Sequence, residues 1–191
     1  MNREAWLHTV ASDLAEDFLK VGKPFPSKLA ISVGFPSRGA VSMSKRIVGQ
    51  CWNGVASKDG TFHVFISPVL KTGFEAADTL VHELCHAVLP AGSGHKAPFA
   101  KLATQMGLTK GKPAQASAGE ELSKRLNALI KKVGAYPHSG LIVVGRTKVQ
   151  TTRLLKVACP TCDYTVRVTR SWLDIGLPIC PVDGIEMEEV Q

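Results

Sequence analysis

The segment FEAADTLVHELCHAVL, residues 74–89, constrains this chain more than any other. Apolar residues fall at 74, 77, 81, 84, 85 and 88, the rhythm of a helix with one buried face. His82 and His86 stay off the 77/81/84/88 stripe. On a helix, residues i and i+4 sit about 40° apart and about 6 Å along the axis, so two imidazoles converge on one point. The fold must therefore bury the stripe and leave the space over the histidines open. Glu83 is too close in sequence to His82 to share that point easily. It can instead reach a water on a metal held there and accept its proton. His82-Glu83-Leu84-Cys85-His86 is thus an HExxH pattern, two ligands and one general base. Zinc lowers the pKa of a bound water to about 7, which makes a hydroxide nucleophile available at neutral pH. Cys85 lies on the core side of the helix and reads as a buried structural thiol.

A catalytic zinc usually takes a third protein ligand and keeps one position open. Metzincin spacing would put that ligand six residues after the second histidine, at Gly92, so this pattern is excluded. Two candidates remain. His95 follows His86 across a glycine-rich turn, Ala91-Gly92-Ser93-Gly94, that can fold the chain back onto the helix end. Glu120 would have to reach in from a later helix. His95 is the favoured ligand.

The rest of the N-terminal portion reads as an α+β mixture. Trp6, Leu7, Val10, Leu14 and Phe18 predict an amphipathic helix over 3–20, ended by Gly22 and the following prolines. Residues 28–33, 46–52 and 61–67 predict three strands of one small sheet. Further helices are expected from Pro98 to about Met106 and from Glu120 to Val133, with 107–119 as a loop between them. His138 is expected to line a cleft or to cap the domain junction. His63 falls in a strand, His8 on a solvated helix face. Trp52 and Trp172 are expected to pack in cores, with base stacking the weaker alternative.

From residue 153 the composition changes to short β-prone runs around cysteines. Five cysteines exclude a complete disulfide framework, and three cluster late: Cys159-Pro-Thr-Cys162 and Cys180-Pro-Val-Asp183-Gly184. The two knuckles flank an alternating strand-like run, Tyr164–Thr169. This is zinc-ribbon spacing with Asp183 in the place of the usual fourth cysteine. Water or a distant residue are the alternatives for that fourth position. So small a module needs a metal staple, because apolar burial alone does not hold it. The expected organisation is a domain over 1–140, a linker over 141–152 and a β zinc ribbon over 153–191.

HELCHAV, the glycine-containing turn and Gly94-His95-Lys96-Ala97-Pro98-Phe99 resemble the SprT-like (Spartan-like) metallopeptidases. The resemblance extends to HVFISP at 63–68 and, more loosely, to the cysteine-rich tail. The short turn between His86 and His95 is more similar to small members from bacteria and their phages. The resemblance implies a zincin-like α+β domain in which His82, His86 and His95 bind the catalytic zinc and Glu83 is the catalytic base. It implies a zinc metalloendopeptidase that hydrolyses peptide bonds with a zinc-activated water and acts on DNA-associated proteins. The Asp183 knuckle departs from the family's ribbon. Two alternatives stand beside this reading: a non-catalytic, zinc-stabilised module that binds nucleic acid or protein, and a hydrolase of a non-peptide bond. The intact Glu83 weighs against the first.

The chain carries 23 basic and 16 acidic residues in 191, a net charge of +7. Residues 28–66 hold five basic and one acidic group, and 110–140 six and two, whereas 141–191 is balanced at six and six. A DNA partner, if bound, is therefore expected to meet the 1–140 domain more than the ribbon. No run approaches a membrane span. The acidic N-terminus lacks a signal-peptide core, so a cytoplasmic protein (host cytoplasm, if phage-encoded) is expected.

Overall fold

The computed structural model describes residues 1–143 and 154–190. The chain divides into two compact units, Met1–Gly145 and Arg146–Gln191. Residues 144–152 of the expected linker, and Arg153, lie outside the described residues. Both units mix helix and sheet. No described helix is long and apolar enough to cross a membrane.

The first unit opens with α1, Arg3–Lys20, started by the Asn2 side chain accepting from the Ala5 N–H at 2.8 Å. Its apolar residues, Trp6, Leu7, Val10, Leu14 and Phe18, are all buried. Three strands follow: β1, Leu29–Val33; β2, Gly49–Trp52; and β3, Phe62–Ile66. The sheet order is β1-β3-β2, with β3 central, parallel to β1 and antiparallel to β2. Ile31, Val64 and Ile66 are buried with the helices' apolar faces. β1 and β2 are the edge strands, and β2 packs beside the helix that carries both motif histidines.

That helix is α2, Gly73–Ala87. It starts with a capping box: Thr72 Oγ1 accepts from the Glu75 N–H at 3.1 Å, and Glu75 accepts from the Thr72 N–H at 3.0 Å. Leu80, Val81, Leu84 and Cys85 are fully buried, so the apolar stripe lies on the core as its spacing predicts. Helices α3, Ala97–Gln105, and α4, Glu120–Val133, complete the unit. Phe99, Leu102, Leu126 and Leu129 bury against the same core, each burial stabilising the fold by roughly 1.5–3 kcal/mol. The expected loop 107–119 is more ordered than its composition suggests: Lys110 and Ser117 form a β-bridge around a 3₁₀ turn at Pro113–Gln115.

Arg3, 6% exposed, ties the unit together. Its guanidinium donates to the carbonyls of Pro68, Pro137 and Ser139 and sits over the Tyr136 ring. A buried cation is tolerated there because oxygens surround it. His138, exposed and at φ 65, is flanked by two of the carbonyls that Arg3 holds.

The second unit contains β4, Leu154–Ala158; β5, Thr165–Thr169; a one-turn α5, Arg170–Leu173; and β6, Glu188–Val190. Its antiparallel sheet runs β5-β4-β6. Val157, Cys159, Cys180 and Met187 form its small core. Trp172 does not join them and is 66% exposed, because a single helical turn offers no second layer to cover the indole. Trp52, at the outer end of edge strand β2, is 41% exposed. Neither tryptophan packs in a core as expected.

Candidate metal centres

The geometry of the first centre begins with α2. Its helical repeat sets His82 and His86 side by side, with ring centroids 5.3 Å apart. The chain then turns back through Gly92 and Gly94, both at positive φ, and delivers His95 to the same point. His95 Nε2 lies 3.1 Å from His82 Nε2 and 3.1 Å from His86 Nε2. Ligand nitrogens on a tetrahedral zinc, at bond lengths of about 2.0–2.1 Å, stand about 3.3 Å apart. The three donors therefore fit a zinc-sized ion. Glu120, the alternative third ligand, is exposed, pairs with Lys124 at 2.9 Å, and is outside the cluster.

The neutral state of the rings favours ligation too. Burial lowers the pKa of all three imidazoles, and that of His86 falls to about 3, with His82 and His95 adding to the effect. Neutral rings are the ligating form. His82 Nδ1 lies 3.2 Å from the Ala116 carbonyl, which can only accept, so Nδ1 carries the proton and the Nε2 lone pair is free. The loop bearing Ala116 is fixed in turn by Asp78, whose Oδ1 accepts from the Ala118 N–H at 2.8 Å. Burial raises the Asp78 pKa, opposed by that N–H and by Lys110.

Phe99 forms the floor. It is fully buried on α3, stacks on His86 with centroids 4.3 Å apart, and lies 4.9 Å from the rings of His82 and His95. One aromatic ring thus packs against all three imidazoles, face to face with His86.

Glu83 lies in the seam between α2 and β2, lines the same cleft as the three histidines and is 6% exposed. Burial pushes its pKa up to about 8, against the pull of the Cys51 backbone N–H. A cation at the imidazoles would favour the ionised form. The seam is open to this carboxylate because residue 49 is glycine. A Cβ there would stand 2.5 Å from Glu83 Oε1 and 2.6 Å from Thr79 Cγ2. Above the site lies a cleft of about 1050 Å³, lined by His82, Glu83, His86 and His95 and walled by segments 36–38, 45–53, 90–94 and 114–117.

The second centre lies wholly in the second unit. Cys159, Cys162, Cys180 and Asp183 each place one donor atom within 4.8 Å of the others. Cys162 Sγ is 3.6 Å from Cys180 Sγ, and Asp183 Oδ2 is 3.1 Å from Cys159 Sγ. Thiolates on a tetrahedral zinc, with bonds of about 2.3 Å, stand about 3.8 Å apart, so this set fits as well. The two turns share a backbone design. The Asp163 N–H bonds the Cys159 carbonyl and the Gly184 N–H the Cys180 carbonyl. Asp163 (φ 59) and Gly184 (φ 71) each take the left-handed conformation four residues after a cysteine. Asp183 therefore occupies in its turn the position that Cys162 occupies in the other. All five cysteines are free thiols, including buried Cys85 and half-buried Cys51.

The structure brings together every residue expected in the two clusters. The spacing did not point to Phe99 as the floor, the Ala116 carbonyl, Asp78 or Gly49. His138 is not among the residues lining the cleft, and His63 is half-buried on β3, stacked on Phe65. Comparison of the chain with protein-family models, with curated proteins and with solved structures finds no match.

Proposed function

We propose that this protein is a zinc-dependent metalloendopeptidase of SprT-like type. The observation that carries the reading is one constellation: three neutral imidazoles converging to 3.1 Å, with a buried carboxylate alongside in the same open cleft. A purely structural site gains nothing from a carboxylate kept in an apolar seam without a cationic partner. A zinc ion at His82, His86 and His95 supplies Lewis acidity toward water and toward a substrate carbonyl. Glu83 then takes the proton of the attacking water and returns it to the departing amine, a general base turned general acid. Edge strand β2 lines the cleft, and its outward main-chain groups other than the Cys51 N–H, which Glu83 holds, are offered to an extended peptide. Proteins associated with DNA are the substrate class the resemblance suggests, and the positive excess of the first unit supports an approach to DNA. Cys159, Cys162, Cys180 and Asp183 hold a second, structural zinc.

The test combines metal content with turnover. Wild type and Glu83→Gln are compared for cleavage of a DNA-binding protein, with and without single-stranded DNA. Zinc per chain is measured for wild type, His95→Ala and Cys159→Ser. The reading requires cleavage by wild type, none by zinc-loaded Glu83→Gln, and one zinc fewer in each ligand variant. Equal behaviour of wild type and Glu83→Gln overturns it.

A further inference from the structure

We propose that the cleft over the three-histidine cluster selects peptide segments that carry carboxylate side chains close to the bond to be cut. The inference rests on the peptidase reading and narrows its substrate.

One wall of the cleft carries Arg38, Lys45 and Arg46. The acids lining it are Asp78 and Glu83, and neither faces these cations freely. Glu83 is buried in the seam beside β2, and Asp78 holds the Ala118 N–H. The Lys110 charge also acts on Asp78, opposing the rise in its pKa that burial causes. Among the described residues, ion pairs involve Lys20, Lys124, Arg125, Lys132 and Arg170, and none of the cleft cations. The other acids of the first unit, apart from exposed Glu16 on α1, are engaged elsewhere. Asp13, Asp17, Glu120 and Glu121 pair along α1 and α4, Glu75 caps α2, Glu4 accepts from the Val33 N–H, and Asp59 from Thr61. The chain thus leaves the charge of this wall uncompensated, and a concave surface focuses that potential on whatever enters.

The wall is also held in place. Gln50 on β2 accepts from the Ser37 N–H at 2.7 Å and donates to the Ser37 hydroxyl at 3.0 Å, which fastens the Arg38 turn to the edge strand. Arg46 donates through Nε to the Ser42 carbonyl at 3.0 Å, leaving its terminal nitrogens for a ligand. Two guanidinium groups and an ammonium therefore stand beside the strand edge along which a peptide would lie, and carboxylates on that peptide match them. A nucleic acid offers negative charge too, but single strands are held by successive aromatic faces, and among the described residues Trp52 is the one Phe, Tyr or Trp lining the cleft beside the three histidines of the metal cluster. Lysine- and arginine-rich tails are disfavoured, so the cut falls in an acidic stretch even when the whole substrate is basic.

The experiment uses the full-length, zinc-loaded Glu83→Gln protein, so that binding is read without turnover. Fluorescence anisotropy is measured with labelled peptides matched in length and differing only in Asp/Glu, Asn/Gln or Lys content, and with a labelled single-stranded oligonucleotide. Exposed pairs are individually weak, so three together give about a tenfold preference for the acidic over the neutral peptide at low salt. High salt shrinks that preference. The Arg38→Gln, Lys45→Gln double variant abolishes it, and a zinc content and circular-dichroism spectrum equal to those of the parent show that the variant is folded. Equal binding of acidic and neutral peptides overturns the inference. So does an oligonucleotide that binds more tightly than every peptide and loses binding in the same variant. Wild-type cleavage of a mixed peptide pool is scored separately: absence of any cleavage refutes the peptidase reading, whereas cleavage without acidic preference refutes only the inference.

Discussion

Replacing Gly49 with alanine adds one methyl group beside Glu83, and its nearest neighbours are Glu83 and Thr79 rather than the histidines. The new Cβ would stand 2.5 Å from Glu83 Oε1, 2.8 Å from Glu83 Cγ and 2.6 Å from Thr79 Cγ2. Comfortable non-bonded separations are about 3.5–4.0 Å, so about 1 Å must be found. The backbones on both sides resist. Thr79 and Glu83 belong to α2, anchored by its capping box, and Gly49 belongs to β2, paired with Ile66 of β3. The easiest relief is rotation of the Glu83 side chain out of the seam. Overpacking of this kind costs about 1–3 kcal/mol, within the stability of an ordinary domain, so Gly49→Ala should fold. A misplacement of about 1 Å in a proton-transfer group costs about 10²-fold in rate. The expected result is a kcat about a hundredfold down, with KM little changed and zinc content equal to wild type. The assay is steady-state cleavage of a fluorogenic peptide, with zinc content measured on the same samples. The Gly49→Ala, Glu83→Gln double variant should be no slower than Glu83→Gln, because both changes act through one carboxylate. Wild-type kcat in a folded Gly49→Ala protein, or a loss of activity that tracks loss of zinc, refutes the reasoning.

Phe99→Leu keeps an apolar floor but loses the ring face. It should lower the melting temperature by an amount equivalent to about 1–2 kcal/mol and weaken zinc at the histidines about tenfold, read by competition with a chelator. Asp78→Ala releases the Ala118 N–H and with it the loop that orients His82; zinc affinity at that centre should fall about 10–100-fold while the cysteine centre keeps its metal. Asp183→Cys should bind the second zinc more tightly than wild type and Asp183→Ala at least about tenfold less, by the same competition, since a thiolate restores four donors and alanine leaves three. At Glu75, burial raises the carboxyl pKa but the Lys71 and Thr72 N–H groups and the Thr72 hydroxyl together outweigh it, holding the pKa below its ordinary 4.5. Its contribution is therefore present above pH about 4.5 and lost as pH falls through the lower folded-state value. Glu75→Gln should cost about 0.5–1 kcal/mol at neutral pH, and its denaturation curve should merge with that of wild type in acid.

Periodic features were legible along the chain, because helices and strands repeat over neighbouring residues. The apolar stripe of α2, the pairing of His82 with His86, the face of α1 and the strand positions all follow from local spacing. So does the cysteine tail, where each turn needs only a few residues to place its two donors. The Thr72-x-x-Glu75 box was equally present in the sequence and marks the start of α2 at Gly73, one residue ahead of where the apolar spacing begins. Trp52 and Trp172 show the opposite case. Hydrophobicity says what a side chain prefers, but an outer strand end and a one-turn helix have nothing to cover it with.

By itself, the sequence determined the donors: which histidines share a helix face, which cysteines share a turn, and that the positive charge concentrates in the first unit. The tertiary structure alone decided how those donors are used. It set Phe99 against three rings, turned the Ala116 carbonyl toward His82 and left Gly49 open for Glu83, whereas the glycine-rich turn in the sequence already favoured His95 over Glu120. It also stationed Arg38, Lys45 and Arg46 along one cleft while engaging most of the first unit's acids elsewhere. The reason is physical range. Spacing along a helix or turn is set by bonds within a few residues, whereas Gly49 meets Glu83, and Ala116 meets His82, only after a sheet and a helix have packed.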